Sequence, residues 1–404
     1  MGVISPVGND VETFWDNVKN GRSGVGPITR FDSSRLEAKI AAEVKDFDPS
    51  KYMDKKEARK QALFTQFAVA AAVQAWEQSG IDIAAIDPSN VATVIGNGIG
   101  GLEINDESHK KLLEAGPGRM LPMTVPLMIS NEAAGNIAMR IGSRGSAFAA
   151  VTACASGTDA IGIALDMVRL GRCEVAICGG TEAAITEFAL GGFCRLQALS
   201  TSYNDRPTEA SRPFDKDRDG FVMGEGAGIL VIETEEHAKK RGAKIIAELA
   251  GYGSTCDGYH LTAPDPEGQG CGRAIRDALA DAGLSPEDVQ YYNAHGTSTP
   301  VNDPIETKAV KLGFGEAHAR KLKISSTKGV TGHCIAAAGA LEGIICILAM
   351  RDGIVPPTIN LAQADPECDL DYIPNVAQKV EVKAAVSASL GFGGHNAVIA
   401  FRRA

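Results

Sequence analysis

Several things are scarce or missing in this sequence, and each absence narrows what it can be. Its nine cysteines (154, 173, 178, 194, 256, 271, 334, 346 and 368) are odd in number, scattered and never spaced Cys-x-x-Cys. That excludes a disulfide framework and a zinc ribbon, and it points to a reducing compartment. No two of the seven histidines stand at i,i+4 and no carboxylate cluster accompanies them, so no metal is expected. Positive charge is in deficit, with 40 Lys and Arg against 50 Asp and Glu and a net charge of −10. Such a chain has no global attraction for nucleic acid or an anionic membrane, and an acidic partner would have to meet a local basic patch. No stretch is fit to span a bilayer: the longest low-charge run, 146–165, is broken by Asp159 and rich in Gly, Ser and Thr. The N-terminus shows no basic segment before an apolar run, and Pro6 stands where a myristoylation signal needs Ser or Thr, so a cytoplasmic location is expected. Aromatics make up only 5%, while 45 glycines without a three-residue period indicate tight turns and close backbone packing rather than collagen or disorder.

What is present is enzyme-sized: 404 residues, 44% of them hydrophobic, enough for one large domain or two to three ordinary ones. The opening eight residues read as a turn that should follow a strand, so the chain is expected to begin late. Residues 55–78 carry apolar positions at helical spacing, and Lys55, Lys56, Arg59 and Lys60 crowd the first turns of the predicted helix. Cations there oppose the helix dipole at a cost of about a few tenths of a kcal/mol each, a placement an acidic partner would explain. Gly96 to Gly101 formally match G-x-G-x-x-G, but no acidic residue follows at the ribose-binding distance, which argues against a dinucleotide site. The composition turns helical and basic near Glu235. Strand, polar loop and small-residue helix occur twice, around Cys154 and around Lys328 and His333, and 334–350 is apolar on nearly every face. Such a helix must be covered on both sides, which predicts two parallel-rich sheets around a central helical layer.

The chemistry concentrates at strand ends. Residues 148–152 read as a buried strand and 158–170 as a helix, placing Cys154 at a helix N-terminus, where unpaired N–H groups and the dipole favour a thiolate and lower the thiol pKa. The bland alternative is a small buried hydrophobe. His295 follows the predicted strand 289–294, and Lys328 and His333 follow the predicted strand 323–326. Two neutral imidazoles and a lysine beside a nucleophilic cysteine suit acyl transfer, in which donors must stabilise an oxyanion or enolate. The same residue types equally allow a Cys/His hydrolase that releases free acid.

Four motifs together, Thr152-Ala153-Cys154-Ala155-Ser156-Gly157, Asn293-Ala294-His295-Gly296-Thr297-Ser298-Thr299, Ser326-Thr327-Lys328-Gly329-Val330-Thr331-Gly332-His333 and Gly391-Phe392-Gly393-Gly394, resemble in order and spacing the elongating β-ketoacyl-acyl carrier protein synthases of the thiolase superfamily, most of all the synthase II branch. The resemblance covers essentially the whole chain. It implies an α/β chain with the thiolase fold, five layers α-β-α-β-α built from two similar halves, here 1–240 with the nucleophile and 241–404 with the His, Lys and Phe residues, and a homodimer. It implies that Cys154 accepts an acyl chain from the phosphopantetheine arm of acyl carrier protein, that malonyl-acyl carrier protein then decarboxylates, and that its carbanion attacks the thioester. No resident cofactor is implied, because the arm arrives on the substrate. His295 and His333 would bind the malonyl thioester oxygen, and the backbone N–H groups of Cys154 and Phe392 would form the oxyanion hole. Lys328 paired with Glu342 would orient the histidines, and Phe392 would gate the cysteine. Thr297, Thr299 and Thr262 match pantetheine-binding positions, Ile99 the acyl-pocket lining, and Lys56, Arg59, Lys60 and Arg119 the carrier-protein dock. Two departures stand out: Gln197 where the family often has a basic residue, with Arg195 two positions before it, and no leading basic strand ahead of Met1. A polyketide ketosynthase would share the motifs. An initiating synthase would have Asn in place of His333.

Overall fold

The computed structural model describes residues 1–404 and contains two five-stranded sheets. The first is built from β1 (Gly2–Ile4), β2 (Val91–Gly96), β3 (Ala147–Ala150), β4 (Val175–Glu182) and β5 (Gly226–Glu233), in the order β1-β5-β4-β2-β3. The second contains β6 (Ala247–Cys256), β7 (Tyr291–Asn293), β8 (Lys323–Ser325), β9 (Ala384–Gly391) and β10 (His395–Arg403), in the order β6-β10-β9-β7-β8. Each strand of the first has its counterpart five strands later, at the same place in the sheet. Each sheet has two antiparallel pairings followed by two parallel ones. The sheets are therefore evenly mixed and not parallel-rich, because each half ends in an antiparallel excursion, β5 or β10, after its crossover helices.

Alternation along the strands separates the layers. In β2, Ala92 and Val94 enter a central core shared with both sheets, while Val91 and Ile95 pack on the opposite side against α1 (Leu63–Ser79). The central core is filled by α2 (Ser156–Arg169) and by the last of the main helices, Ala338–Asp352, every residue of which is buried from 338 to 350. A third core joins the second sheet to α3 (Gln269–Asp281) and α4 (Asn302–Phe314), which makes that final central helix α5. The result is the five-layered thiolase architecture of two similar halves, in which strands buried on both faces read as continuous apolar runs.

Three sequence expectations fail for local physical reasons. Residues 2–4 are a strand, paired antiparallel with β5, and not a turn. The predicted helix 55–78 is broken: Asp54 accepts from the N–H groups of Lys56 and Glu57 and caps a separate short helix, Lys55–Ala58, and α1 begins only at Leu63, whose N–H donates to Glu103 at 2.9 Å. The basic residues therefore do not sit on the first turns of the long helix. Finally, β3 is an edge strand, with Phe148 36% and, just beyond it, Val151 57% exposed, so this chain alone does not cover the outer side of the strand before the cysteine.

Candidate active site

The cysteine elbow is a strained turn. After β3, Ala153 takes φ +51°, a 3-10 turn covers Ala153–Ala155, and α2 starts at Ser156. The Ser156 hydroxyl holds the turn by accepting from the Thr152 N–H at 2.8 Å and donating to the Ala153 carbonyl at 2.6 Å. The other half repeats the device: Ile335 has φ +47°, a 3-10 turn covers Ile335–Ala337, and α5 follows. The two elbows abut, since a Cβ on Gly157 would lie 2.4 Å from the Ala336 carbonyl oxygen. A β-branched residue at positive φ is costly, by about 1–3 kcal/mol, and this one faces the same cavity as Cys154.

That cavity, about 500 Å³, brings together Cys154, His295, His333, Thr297, Thr299, Thr262, Ile99 and Phe392. Burial pushes the Cys154 thiol up to about 12, opposed by the Lys328 charge and by the backbone N–H groups of Phe392 and Cys154, which point at the sulfur. The expected lowering is not what burial produces here: desolvation is the largest influence on the thiol. Those two N–H groups nonetheless converge on the sulfur.

The histidines come from separate loops tied to one another. Glu306 on α4 accepts from the N–H groups of His295 and Gly296, both at 2.7 Å, and Tyr292 donates to the same carboxylate at 3.0 Å. His333 is fixed through its backbone, donating to the Val222 carbonyl at 2.8 Å and accepting from the Gly224 N–H at 2.9 Å. Ser326 donates to the Gly296 carbonyl at 2.6 Å and links the loops. The imidazoles meet edge to face with centroids 5.3 Å apart. Burial and then the Lys328 charge hold both well below the usual imidazole range, so both are neutral near pH 7. In each ring Nδ1 is buried without a partner. An unused lone pair costs less than an orphaned N–H, which places the proton on Nε2, ready to donate to an oxygen in the cavity.

Lys328 and Glu342 lie behind this wall, almost fully buried and ion-paired; burial, against the Lys328 charge, pushes the Glu342 carboxyl up to about 7. Phe392 sits half-buried in a turn whose Gly393 and Gly394 have φ +88° and +79°, conformations that leave the loop free of side-chain strain. The Thr297 and Thr299 hydroxyls are 2.9 Å apart. The basic residues lie outside the cavity: Lys56, Arg59 and Lys60 are exposed around the short helix, and Arg119 ends an exposed turn, Pro117–Arg119. Gln197 lines the cavity at φ +54°, with exposed Arg195 two positions before it.

Three contributors were not read from the sequence. Phe193 and Phe221 form an aromatic run from Phe392 to His333, with successive centroids at 6.4, 5.4 and 5.3 Å. Lone phenylalanines directly after glycine were their only signal. Glu306, the anchor of the His295 loop, carried none beyond its place in a helix.

Comparison with known proteins agrees with this geometry. The family model for the N-terminal domain of beta-ketoacyl synthases matches residues 1–238, and that for the C-terminal domain matches 246–362. The chain is 49% identical over 403 residues to the 3-oxoacyl-acyl-carrier-protein synthase 2 of Synechocystis sp., covering 100% of this chain and 96% of that protein. It is 50% identical over 403 residues to the protein of the same name from Staphylococcus aureus, covering 100% and 97%. A solved structure of a type II PKS acyl-carrier protein in complex with its ketosynthase bound to the hexaketide superposes with a TM-score of 0.90 at 35% identity, covering 100% of this chain and 98% of that one.

Proposed function

The chain belongs to the beta-ketoacyl synthase family, and we propose that Cys154, His295, His333 and Phe392 carry out its condensation reaction in one cavity. The enzyme is an acyltransferase of fatty-acid elongation: it joins an acyl chain to the two carbons left by malonyl-acyl carrier protein. The observation that carries the residue assignment is the meeting of a thiol, two convergent backbone N–H groups and two neutral imidazoles in a single pocket above a buried lysine.

In the first half-reaction the Cys154 sulfur loses its proton and attacks the acyl thioester. An S–C bond forms, the bond to the pantetheine sulfur breaks, and that sulfur takes up the proton. The N–H groups of Cys154 and Phe392 bind the oxyanion of the tetrahedral intermediate. In the second, malonyl thioester loses carbon dioxide while the Nε2–H groups of His295 and His333 hold the thioester oxygen as the enolate forms. The enolate carbon then bonds to the acyl carbonyl, and the Cys154 sulfur departs. Lys328, with Glu342, keeps both imidazoles neutral and oriented. Thr297, Thr299 and Thr262 hold the pantetheine amides, Ile99 lines the acyl channel, and Phe392 gates the cysteine. No resident cofactor takes part, because the phosphopantetheine arm belongs to the incoming substrate.

The acidic carrier protein docks on Lys56, Arg59, Lys60 and Arg119, and the site works in the cytoplasm. No helix is long and apolar enough to cross a membrane. The enzyme is a homodimer formed at β3, an open edge strand beside exposed Phe148, Val151 and Met139; light scattering is expected to return twice the 42.2 kDa chain mass. The residue division is 1–240 and 241–404.

Purified protein given acyl- and malonyl-acyl carrier protein is expected to yield β-ketoacyl-acyl carrier protein and one carbon dioxide per turnover. Free fatty acid without carbon dioxide would instead identify a hydrolase. In the same assay Lys60→Glu is expected to raise KM for acyl carrier protein about tenfold, leaving KM for a small acyl-pantetheine thioester within twofold. Equal changes for both donors would remove Lys60 from the dock.

A further inference from the structure

Glu182 is fully buried at the end of β4, no Lys, Arg or His lies within ion-pairing distance of it, and the reaction just described does not use it. The internal repeat explains where it sits. β4 corresponds to β9, so Glu182 corresponds to Gly391, the residue before the N–H of Phe392; the Ile335–Ala337 elbow corresponds to that of Cys154. The carboxylate thus occupies the counterpart of the oxyanion hole in the half that lacks a nucleophile. It accepts from the Gly98 N–H at 2.9 Å and from the Asn97 side-chain amide at 3.2 Å, and also from the N–H groups of Ile99 and Ala336. These donors belong to two segments, the loop after β2 and the second elbow, and Gly98, Ile99 and Ile335 all line the cavity beside Cys154. The clamp is tight: a Cβ on Gly98 would lie 2.6 Å from Glu182 Oε2 and 3.4 Å from Ile335 Cγ2.

We propose that Glu182 is a positioning residue for acyl-chain length: by holding the Gly98–Ile99 loop against the Ile335 elbow, it keeps the channel beyond Cys154 open to long chains. The inference rests on Cys154 being the acyl acceptor. All four donors are N–H groups, so a side chain that presents its own N–H repels them, and the loop it displaces lines the cavity. Burial pushes the Glu182 carboxyl up to about 8, opposed by those donors.

The test is the rate of Cys154 acylation by acyl carrier proteins carrying 4 to about 16 carbons, followed by intact mass, in wild type, Glu182→Gln and Gly98→Ala. Both variants push the same loop away from Glu182, the first by setting an N–H against its donors and the second by setting a methyl group against Oε2 while the carboxyl itself is kept. Expected is an about tenfold loss with the longest chains, expressed mainly in KM, with four-carbon acylation and malonyl decarboxylation within twofold of wild type. A uniform loss at every length, or an unchanged length profile in both variants, would overturn the inference while leaving the function intact. Failure of wild type to acylate with any chain would overturn both.

Discussion

Cys154→Ala is expected to fold normally and to take up no acyl group: after incubation with acyl-acyl carrier protein its intact mass stays that of the bare chain, whereas wild type gains one acyl unit. The side chain is 9% exposed on a cavity wall, so removing its sulfur opens little new void, and the stability cost is about 1 kcal/mol, small against a typical folding free energy. Activity has no such reserve. No other nucleophile lies beside the two convergent N–H groups, and Cys334, the nearest in sequence to the second elbow, is fully buried with its thiol directed at the Glu225 and Thr331 carbonyls. An acyl adduct persisting in the variant would take the role from Cys154. The same thiol makes a pH prediction. With burial pushing it up to about 12, only a minute fraction is thiolate at neutrality, and that fraction rises with pH until the pKa is reached. Alkylation of wild type by iodoacetamide is therefore expected to quicken about tenfold per pH unit from 7 to 9. A plateau near pH 7 would show that the helix start overrides desolvation after all.

The contrast between these two expectations marks how far the sequence could be read. Motifs tied to strand ends located Cys154, His295, Lys328, His333 and Phe392 because a residue at such an end has its direction set by the strand and its loop by glycine, both of which are visible in the chain. The lack of a polar face along 334–350 likewise revealed the all-buried α5, and with it the central layer. Desolvation is different in kind. It depends on which side chains from distant segments close over the sulfur, and Phe193 and Phe221 on the far side of the pocket gave no periodic signal. The break between Ala58 and Leu63 was hidden for a related reason: the Leu63 N–H is satisfied by Glu103, 40 residues away, while residues 55–62 contain no glycine or proline to mark a break. The Glu306 anchor and the Glu182 clamp show the same limit, since each joins backbone N–H groups that only the fold brings together.

His333→Ala separates the two half-reactions. Its fold should survive, because the main-chain bonds to Val222 and Gly224 do not involve the ring, and the ring's own contacts are the edge-to-face packing on Phe221 and His295. Acylation of Cys154 uses the oxyanion hole and is expected within about threefold of wild type, a spread that loss of packing alone can produce. Condensation loses one of two donors to the enolate oxygen and is expected to fall about 10²- to 10³-fold, the usual cost of deleting such a donor. Labelled malonyl-acyl carrier protein supplied to the pre-acylated variant measures this directly; undiminished β-ketoacyl product would show that one imidazole suffices. Lys328→Ala is a poorer probe of the same step, since it strands the buried Glu342 carboxylate, a loss of about 3–5 kcal/mol that endangers the fold itself. Because both imidazoles titrate well below the usual range, wild-type condensation on pre-acylated enzyme should stay flat as pH falls from 8 to 6.5. Stability should move otherwise. Below about pH 6.5 the unfolded histidines bind protons that the folded ones refuse, so the folded state loses stability as pH drops, and the variant, with one buried imidazole fewer, should lose less.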